Sequence, residues 1–492
     1  SFVYSGNFLA QVEVDTYDVT RVMMGIHPHC FSWSLEKGES FQTPEVVMVY
    51  SNDGLNKMSQ TYHKLYQRRL ARGKYRDQVR PILVNNWEAT YFDFDEEKIM
   101  DIAGTAQKLG IELFVLDDGW FGKRNNDVAG LGDWYPNLQK LPSGISGLSR
   151  KINNLGMKFG LWFEPEMVNK NSDLYRNHPQ WILETPNRPS SHGRNQFVLD
   201  FSNPEVVIYV YNMMTEVIDK ANISYIKWDM NRCMTEVYSS CHDSESQGRV
   251  MHEYILGVYQ LYELLTSRFP EILFESCASG GARFDPGMMY YAPQCWTSDD
   301  TDALERLKIQ YGTSMVYPVS SLGAHVSAAP NHQLLRNTPI ETRANVAYFG
   351  TFGYELDLNK LSMDEQIKVK EQITFMKDYR EIIQFGTFYR LKSPFEGNET
   401  VWMVVSQDQN TAIIGYYRTL QEVNVGYRRV KLLGLDPDKE YHVNLNNTVH
   451  YGDELMNLGL ITTDSSCGEN KEKYDGTNGD YLSRIYVLKA KI

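Results

Sequence analysis

The chain of 492 residues carries 42% hydrophobic and 23% charged residues, a balance that excludes disordered and fibrous classes and supplies a large buried core. A formal charge of −13 without any basic run leaves no electrostatic footprint for nucleic acid or an anionic membrane, so a neutral small molecule is the expected partner. The cysteines Cys30, Cys233, Cys241, Cys277, Cys295 and Cys467 are scattered without CxxC pairing and no run nears the roughly 18 apolar residues of a membrane span, so a reducing, cytoplasmic location is expected.

The first 50 residues read as alternating strands, as in Gln11-Val-Glu-Val-Asp and Glu45-Val-Val-Met-Val-Tyr, and are expected to be the tail of an N-terminal β domain whose upstream portion is missing or cleaved. Within them His27-Pro-His29-Cys30 superficially resembles a metal cluster, but it falls outside the later pattern of strand ends; no metal and no cofactor are expected. Residues 51–80 are expected to form a linker helix, 81–385 a catalytic domain, and 386–492 an antiparallel β domain.

From about residue 80 to 320 a short apolar or β-branched run, a polar turn and a helical stretch recur. The predicted strands are Ile82 to Trp87, Leu113 to Leu116, Phe159 to Phe163, Phe197 to Leu199, Tyr225 to Trp228, Ile272 to Phe274, Gln294 to Trp296 and Met315 to Val319. Asp95 can cap a helix that closes at Gly110, and Asn203-Pro204-Glu205 supplies a cap, a first-turn proline and an early acid. Ile255, Leu256, Tyr259, Tyr262 and Leu265 recur at helical spacing. Eight alternating units fit an α/β fold, the (β/α)8 TIM barrel, better than a doubly wound sheet. After about residue 385 the period becomes two, in Thr400-Val-Trp-Met-Val-Val, Ala412-Ile-Ile-Gly-Tyr-Tyr, Val430-Lys-Leu-Leu and Ile485-Tyr-Val-Leu, with turns at Asp436-Pro-Asp and Asn478-Gly; this predicts a C-terminal antiparallel β-sandwich.

Chemistry in such barrels sits at the carboxyl ends of the strands. Acids stand there in series: Asp117-Asp118, Glu164 and Glu166, Asp200, Asp229, Glu275 and Asp299-Asp300. Any one of them could instead cap the next helix or pair with an arginine. In Lys227-Trp-Asp229-Met-Asn231 the alternate residues share a face, so the Lys227 ammonium is expected beside Asp229, keeping it ionised as a nucleophile must be; the alternative is a buried structural Lys–Asp pair. Glycoside cleavage needs a second carboxyl that stays protonated until it donates, and Asp299 is placed for it, with Asp300 or Asp302 as the alternatives and a capping role then left to Asp299. Trp87, Trp120, Trp162 and Trp296 could stack on a sugar ring or fill the core. In Glu275-Ser-Cys277-Ala-Ser-Gly280-Gly281 the small residues allow a ligand to approach the backbone.

Leu116-Asp-Asp-Gly-Trp, Trp162-Phe-Glu-Pro-Glu, Lys227-Trp-Asp-Met-Asn-Arg, Cys277-Ala-Ser-Gly-Gly and Ser298-Asp-Asp-Thr-Asp together resemble the bacterial α-galactosidases of glycoside hydrolase family 36. The resemblance implies a retaining enzyme acting on terminal α-linked galactose in sugars such as melibiose and raffinose, with Asp229 as nucleophile and Asp299 as acid and base. It implies that Asp117 and Asp118 receive the 4- and 6-hydroxyls, that Trp87, Trp162, Arg194 and Lys227 complete the pocket, and that Asn231, Cys277 and Gly280 lie near the 2-hydroxyl. It further implies a homotetramer in which the N-terminal β-sandwich of a neighbouring subunit helps close the pocket. Galactosyl transfer, an α-N-acetylgalactosaminidase, a metal-dependent barrel lyase and a non-catalytic sugar-binding module are the alternatives.

Overall fold

In the computed structural model, residues 1–423, 426, 428–445, 447–462 and 479–491 are described. The N-terminal stretch forms an antiparallel hairpin of β1 (Phe8–Val14) and β2 (Thr20–Ile26), paired from Phe8–Ile26 to Val14–Thr20. The expected strand at Glu45–Tyr50 is absent: only Val46 bridges, to Phe2.

The barrel strands are β3 (Leu83–Asn85), β4 (Leu113–Leu116) and β5 (Lys158–Phe163), and, after a hairpin of β6 (Met167–Val168) and β7 (Phe197–Val198), β8 (Tyr225–Trp228), β9 (Leu273–Ser276), β10 (Gln294–Trp296), β11 (Leu322–Ser327) and β12 (Thr351–Glu355). They close in the order β10-β11-β12-β3-β4-β5-β8-β9, with parallel registers such as Val115–Gly160 and Lys227–Glu275. The (β/α)8 barrel is therefore correct, but two of its predicted strands are not. Phe197–Val198 pairs antiparallel with Met167–Val168 outside the barrel, and residues 315–319 form no strand but a turn that runs into the short 3-10 helix Val319–Ser321, with Pro318 offering no N–H to a ladder. Their places are taken by β11 and β12, Leu-Gly-Ala-His-Val-Ser and Thr-Phe-Gly-Tyr-Glu, whose glycines and polar residues hide the apolar signal.

Helix ends follow local chemistry. Asp95 accepts the Lys98 N–H ahead of Glu96–Leu109, and Gly110 ends that helix at φ 95°. Asn203 caps Pro204–Lys220 through the Glu205 N–H. The helix Val250–Arg268 buries Ile255, Tyr262 and Leu265, whereas Leu256 is exposed, since its position turns away from that face.

The chain divides into two compact units, one of Ser1–Met48, Arg68–Gln78 and Asn85–Trp296, the other of Val49–Gln67, Val79–Val84 and Thr297–Ile492. The second contains the helices Gly54–Leu65 and Met363–Phe385, the latter opened by a reciprocal Ser362–Glu365 capping box. It also holds β13 (Thr387–Lys392), β14 (Glu399–Val405), β15 (Thr411–Arg418), β16 (Arg429–Val430), β17 (Glu440–Val443), β18 (Thr448–Tyr451), β19 (Leu460–Ile461) and β20 (Leu482–Ala490). These make a six-stranded antiparallel sheet, β13-β14-β15-β20-β17-β18, and a small β16–β19 pair. Val401, Met403, Ile414, Tyr416, Val430, Leu432, Leu460 and Leu488 meet in one core beneath both. Asn478 of the predicted turn and Cys467 lie outside the described residues.

Candidate active site

The strand-end acids fall into distinct environments. Asp117 and Asp118 follow β4 and are both buried; Gly119 behind them takes φ 106°, a left-handed turn where a Cβ would come within 3.0 Å of the Phe94 ring. Asp117 Oδ2 receives Asn85 Nδ2 at 2.6 Å and Lys227 Nζ at 2.9 Å, while its own N–H donates to Asn86 Oδ1. Asp118 is gripped by Arg124, Nε at 2.9 and 3.2 Å and Nη2 at 2.8 Å, a bidentate pair with no solvent access to the guanidinium. Burial acts against the Arg124 charge, but the Asp118 carboxylate holds its pKa above the ordinary value. Arg124 Nη1 also reaches Asn169 Oδ1, and Asn169 Nδ2 donates to Asn195 O, next to the exposed Arg194.

Lys227 is therefore bonded to Asp117, not to Asp229 as face-sharing along β8 suggested, and its ammonium stands 6.0 Å from the Trp296 ring centre. The reason is barrel geometry: side chains of one interior layer come from alternate strands, here β4 and β8 with β5 between them. Asp229, immediately after β8 and buried, is held by three other donors: Trp162 Nε1 to Oδ2 at 3.2 Å, Asn231 Nδ2 to Oδ2 at 2.8 Å, and the Met230 N–H to Oδ1 at 2.8 Å. Trp162 is buried and lies parallel to Phe121 with centroids 6.1 Å apart; its indole N–H serves Asp229. Asn231 is fixed in turn by Ser279 Oγ, which donates to its Oδ1 at 3.0 Å.

Ser279 belongs to the small-residue segment. Cys277 is buried and donates its N–H to Trp228 O at 2.7 Å, and Gly280, at φ 84°, accepts the Ala278 N–H. Trp87 opens a short helix, Trp87–Thr90, half-buried and edge-on to Tyr91 and Phe92. Trp120 is fully buried and donates to Trp162 O.

Three of the acids are structural or differently placed. Asp200 follows β7, so it does not stand at a barrel strand end; it accepts the Ser202 N–H and the Ser239 hydroxyl. Glu275 lies within β9 and accepts Gln294 Nε2 at 2.7 Å. Glu166 receives both arms of Arg283, Tyr254 OH and Trp228 Nε1; desolvation pushes its pKa up, but Arg283 and the other donors hold it below the carboxylate range. Glu164, directly after β5 and fully buried, is the opposite case. Burial and the neighbouring Asp229 charge push its pKa up to about 8.

Asp299 stands three residues beyond β10 and is exposed. It does not cap the following helix: Asp302 does, accepting the Leu304 and Glu305 N–H groups and pairing with Arg336, while Asp300 accepts the Asp302 N–H. At the other end of the chain, His27 Nδ1 accepts the His29 N–H at 3.0 Å and Cys30 is exposed. Sequence reasoning placed Glu164 at its strand end but not its bonding to Asn231, and it missed Asn85, Arg124, Asn169 and Ser279; of these four only Asn85, a polar residue ending an apolar strand, carried a local signal.

The family model Melibiase matches residues 40–386, the glycosyl hydrolase family 36 N-terminal domain residues 1–36, and its C-terminal domain residues 399–488. The chain belongs to the melibiase family, with the two family 36 domains flanking that match. It is 57% identical over 490 residues to alpha-galactosidase AgaA of Geobacillus stearothermophilus and 47% identical over 491 residues to alpha-galactosidase Mel36A of Lactobacillus acidophilus, covering 100% of this chain and 65% of each relative. The chain thus spans less than two thirds of those curated relatives. The crystal structure of the Geobacillus AgaA superposes with a TM-score of 0.96 at 57% identity, over 100% of this chain and 67% of that one. A substituted form of that enzyme in complex with raffinose matches at TM-score 0.96 and 56% identity over the same shares. Among the described residues no helix is long and apolar enough to cross a membrane.

Proposed function

We propose that the protein is a retaining, exo-acting α-galactosidase that hydrolyses terminal α-linked galactose from oligosaccharides such as melibiose and raffinose. The observation that carries this reading is the cradle of Asp229. Three N–H donors converge on its carboxylate and fix the orientation of the attacking oxygen. Asp229 attacks the anomeric carbon as the bond to the leaving oxygen breaks, and Asp299 gives its proton to that oxygen. Water then attacks the same carbon, its proton passes to Asp299, the ester to Asp229 breaks, and galactose leaves with its configuration retained.

The exposed position of Asp299, with capping left to Asp302, supports its role as acid and base. Lys227 and Arg124 fix Asp117 and Asp118 in place by ion pairs as acceptors for the 4- and 6-hydroxyls, so that the axial 4-hydroxyl of galactose is selected. Trp87, Trp162, Arg194 and Lys227 complete the sugar pocket, and Asn231, Cys277 and Gly280 adjoin the 2-hydroxyl. The raffinose and stachyose complexes of the Geobacillus enzyme support an oligosaccharide substrate. The same reading carries a cytoplasmic homotetramer, which light scattering tests. Proton NMR of nitrophenyl α-galactoside hydrolysis tests the reaction: α-galactose is expected as the first anomer formed, and β-galactose first would overturn retention.

A further inference from the structure

We infer that Glu164 is a positioning residue for Asp229: an uncharged carboxyl whose Oε1 takes the Asn231 backbone N–H and so sets the turn from which Asn231 Nδ2 reaches Asp229. The inference rests on the proposed role of Asp229. Its geometric ground is the contrast between two glutamates two residues apart, both completely buried. Glu166 has a guanidinium, a phenol and an indole N–H, the full set a buried carboxylate needs. The bonds to Glu164 come instead from uncharged amides, the Asn231 N–H at Oε1 and Gln196 Nε2 at Oε2, 3.0 Å away. The charged groups that face it are Asp229 after β8, Asp118 after β4 and Arg124, and the Arg124 guanidinium is already committed to Asp118. A buried carboxyl so placed sheds its charge.

Neutrality is compatible with the local bonding. Gln196 Oε1 is a buried acceptor without a partner among the described residues, and exchanging the amide oxygen and nitrogen would aim that oxygen at the Glu164 hydroxyl. The consequence is mechanical and electrostatic together. Asn231 is pinned at its N–H by Glu164 and at Oδ1 by Ser279, leaving Nδ2 on Asp229 Oδ2. A neutral Glu164 also spares Asp229 a second negative charge beside it.

The test uses the whole protein with Glu164→Ala and Glu164→Gln. Loss of the acceptor in Glu164→Ala is expected to lower kcat about 100-fold with KM within threefold, the scale of a small misplacement of a reacting group. Glu164→Gln keeps an acceptor oxygen and is expected to recover at least tenfold of that loss. The wild-type kcat/KM profile should carry an alkaline limb near pH 8, absent from Glu164→Gln, and the infrared carboxylic-acid C=O band of the wild type at pH 7 should be lost in that variant. Glu164→Gln as inactive as Glu164→Ala, an unchanged alkaline limb, or an infrared spectrum unaltered by Glu164→Gln would each overturn the inference. If Glu164→Ala does not fold, Glu164→Gln and the infrared band decide alone. A wild type without any galactosidase activity would sink the proposed function instead, and the infrared band would still report the charge of Glu164.

Discussion

Replacing Arg124 with leucine removes the cation from a wholly buried ion pair and leaves Asp118 charged behind it. The guanidinium makes three contacts of 2.8–3.2 Å to the Asp118 oxygens and two more to Ala129 O and Asn169 Oδ1. Leucine keeps part of the stem's packing but none of these bonds. Breaking a buried pair from one side costs about 3–5 kcal/mol, because the surviving charge still bears its desolvation penalty. For compact units of a few hundred residues, each kcal/mol moves Tm by roughly 2–4 °C, so a fall of roughly 6–20 °C is expected. Adding Asp118→Asn to Arg124→Leu removes the stranded charge and should recover about 2 kcal/mol. Calorimetry of wild type, both single variants and the double variant at pH 7 closes the cycle. A fall below about 2 °C for Arg124→Leu, or a double variant as unstable as the two losses summed, would refute the role given to this pair.

The strand-end acids separate by substitution. Asp302→Ala should cost at least about 1 kcal/mol of stability by denaturant unfolding, through loss of the cap. Asp299→Asn should leave stability within about 0.5 kcal/mol but lower turnover of an unactivated galactoside by roughly 10²–10⁴-fold, as expected for loss of a general acid. Trp162→Phe deletes one N–H to a charged oxygen and should reduce kcat by about tenfold or more, read in steady-state kinetics with KM little changed. Glu164, with a folded-state pKa raised to about 8, keeps its proton after the unfolded chain has lost it, so stability falls as pH rises from the ordinary glutamate value towards 8. Glu164→Gln should therefore gain on the wild type by up to about 1.4 kcal/mol per pH unit over pH 5 to 8, measured by urea titration, and a pH-independent difference would contradict it.

Barrel strands were legible where the run is continuously apolar, as in Leu113-Phe-Val-Leu, because strands buried on both faces lose the period of two. The same logic misassigned Phe197-Val-Leu, whose partner Met167–Val168 is a tertiary choice, and passed over Thr351-Phe-Gly-Tyr-Glu, whose burial only the closed barrel supplies. At the site, the positions of Asp117, Asp118 and Asp229 beyond their strands could be read along the chain. Their bonding partners could not. Which strand faces Lys227 depends on barrel layering, and Arg124 reaches Asp118 from a loop whose course local sequence does not dictate. The Asp95 cap was legible for the converse reason, since a cap and the N–H it accepts lie within one helical turn.

Azide rescue of Asp229→Gly tests the nucleophile most directly, because azide can enter only where the missing carboxylate attacked. Near-complete loss of activity, with turnover of a nitrophenyl α-galactoside restored by azide and β-galactosyl azide as the product, is the predicted result. No rescue, together with inverted configuration of the sugar released by the wild type, would contradict it.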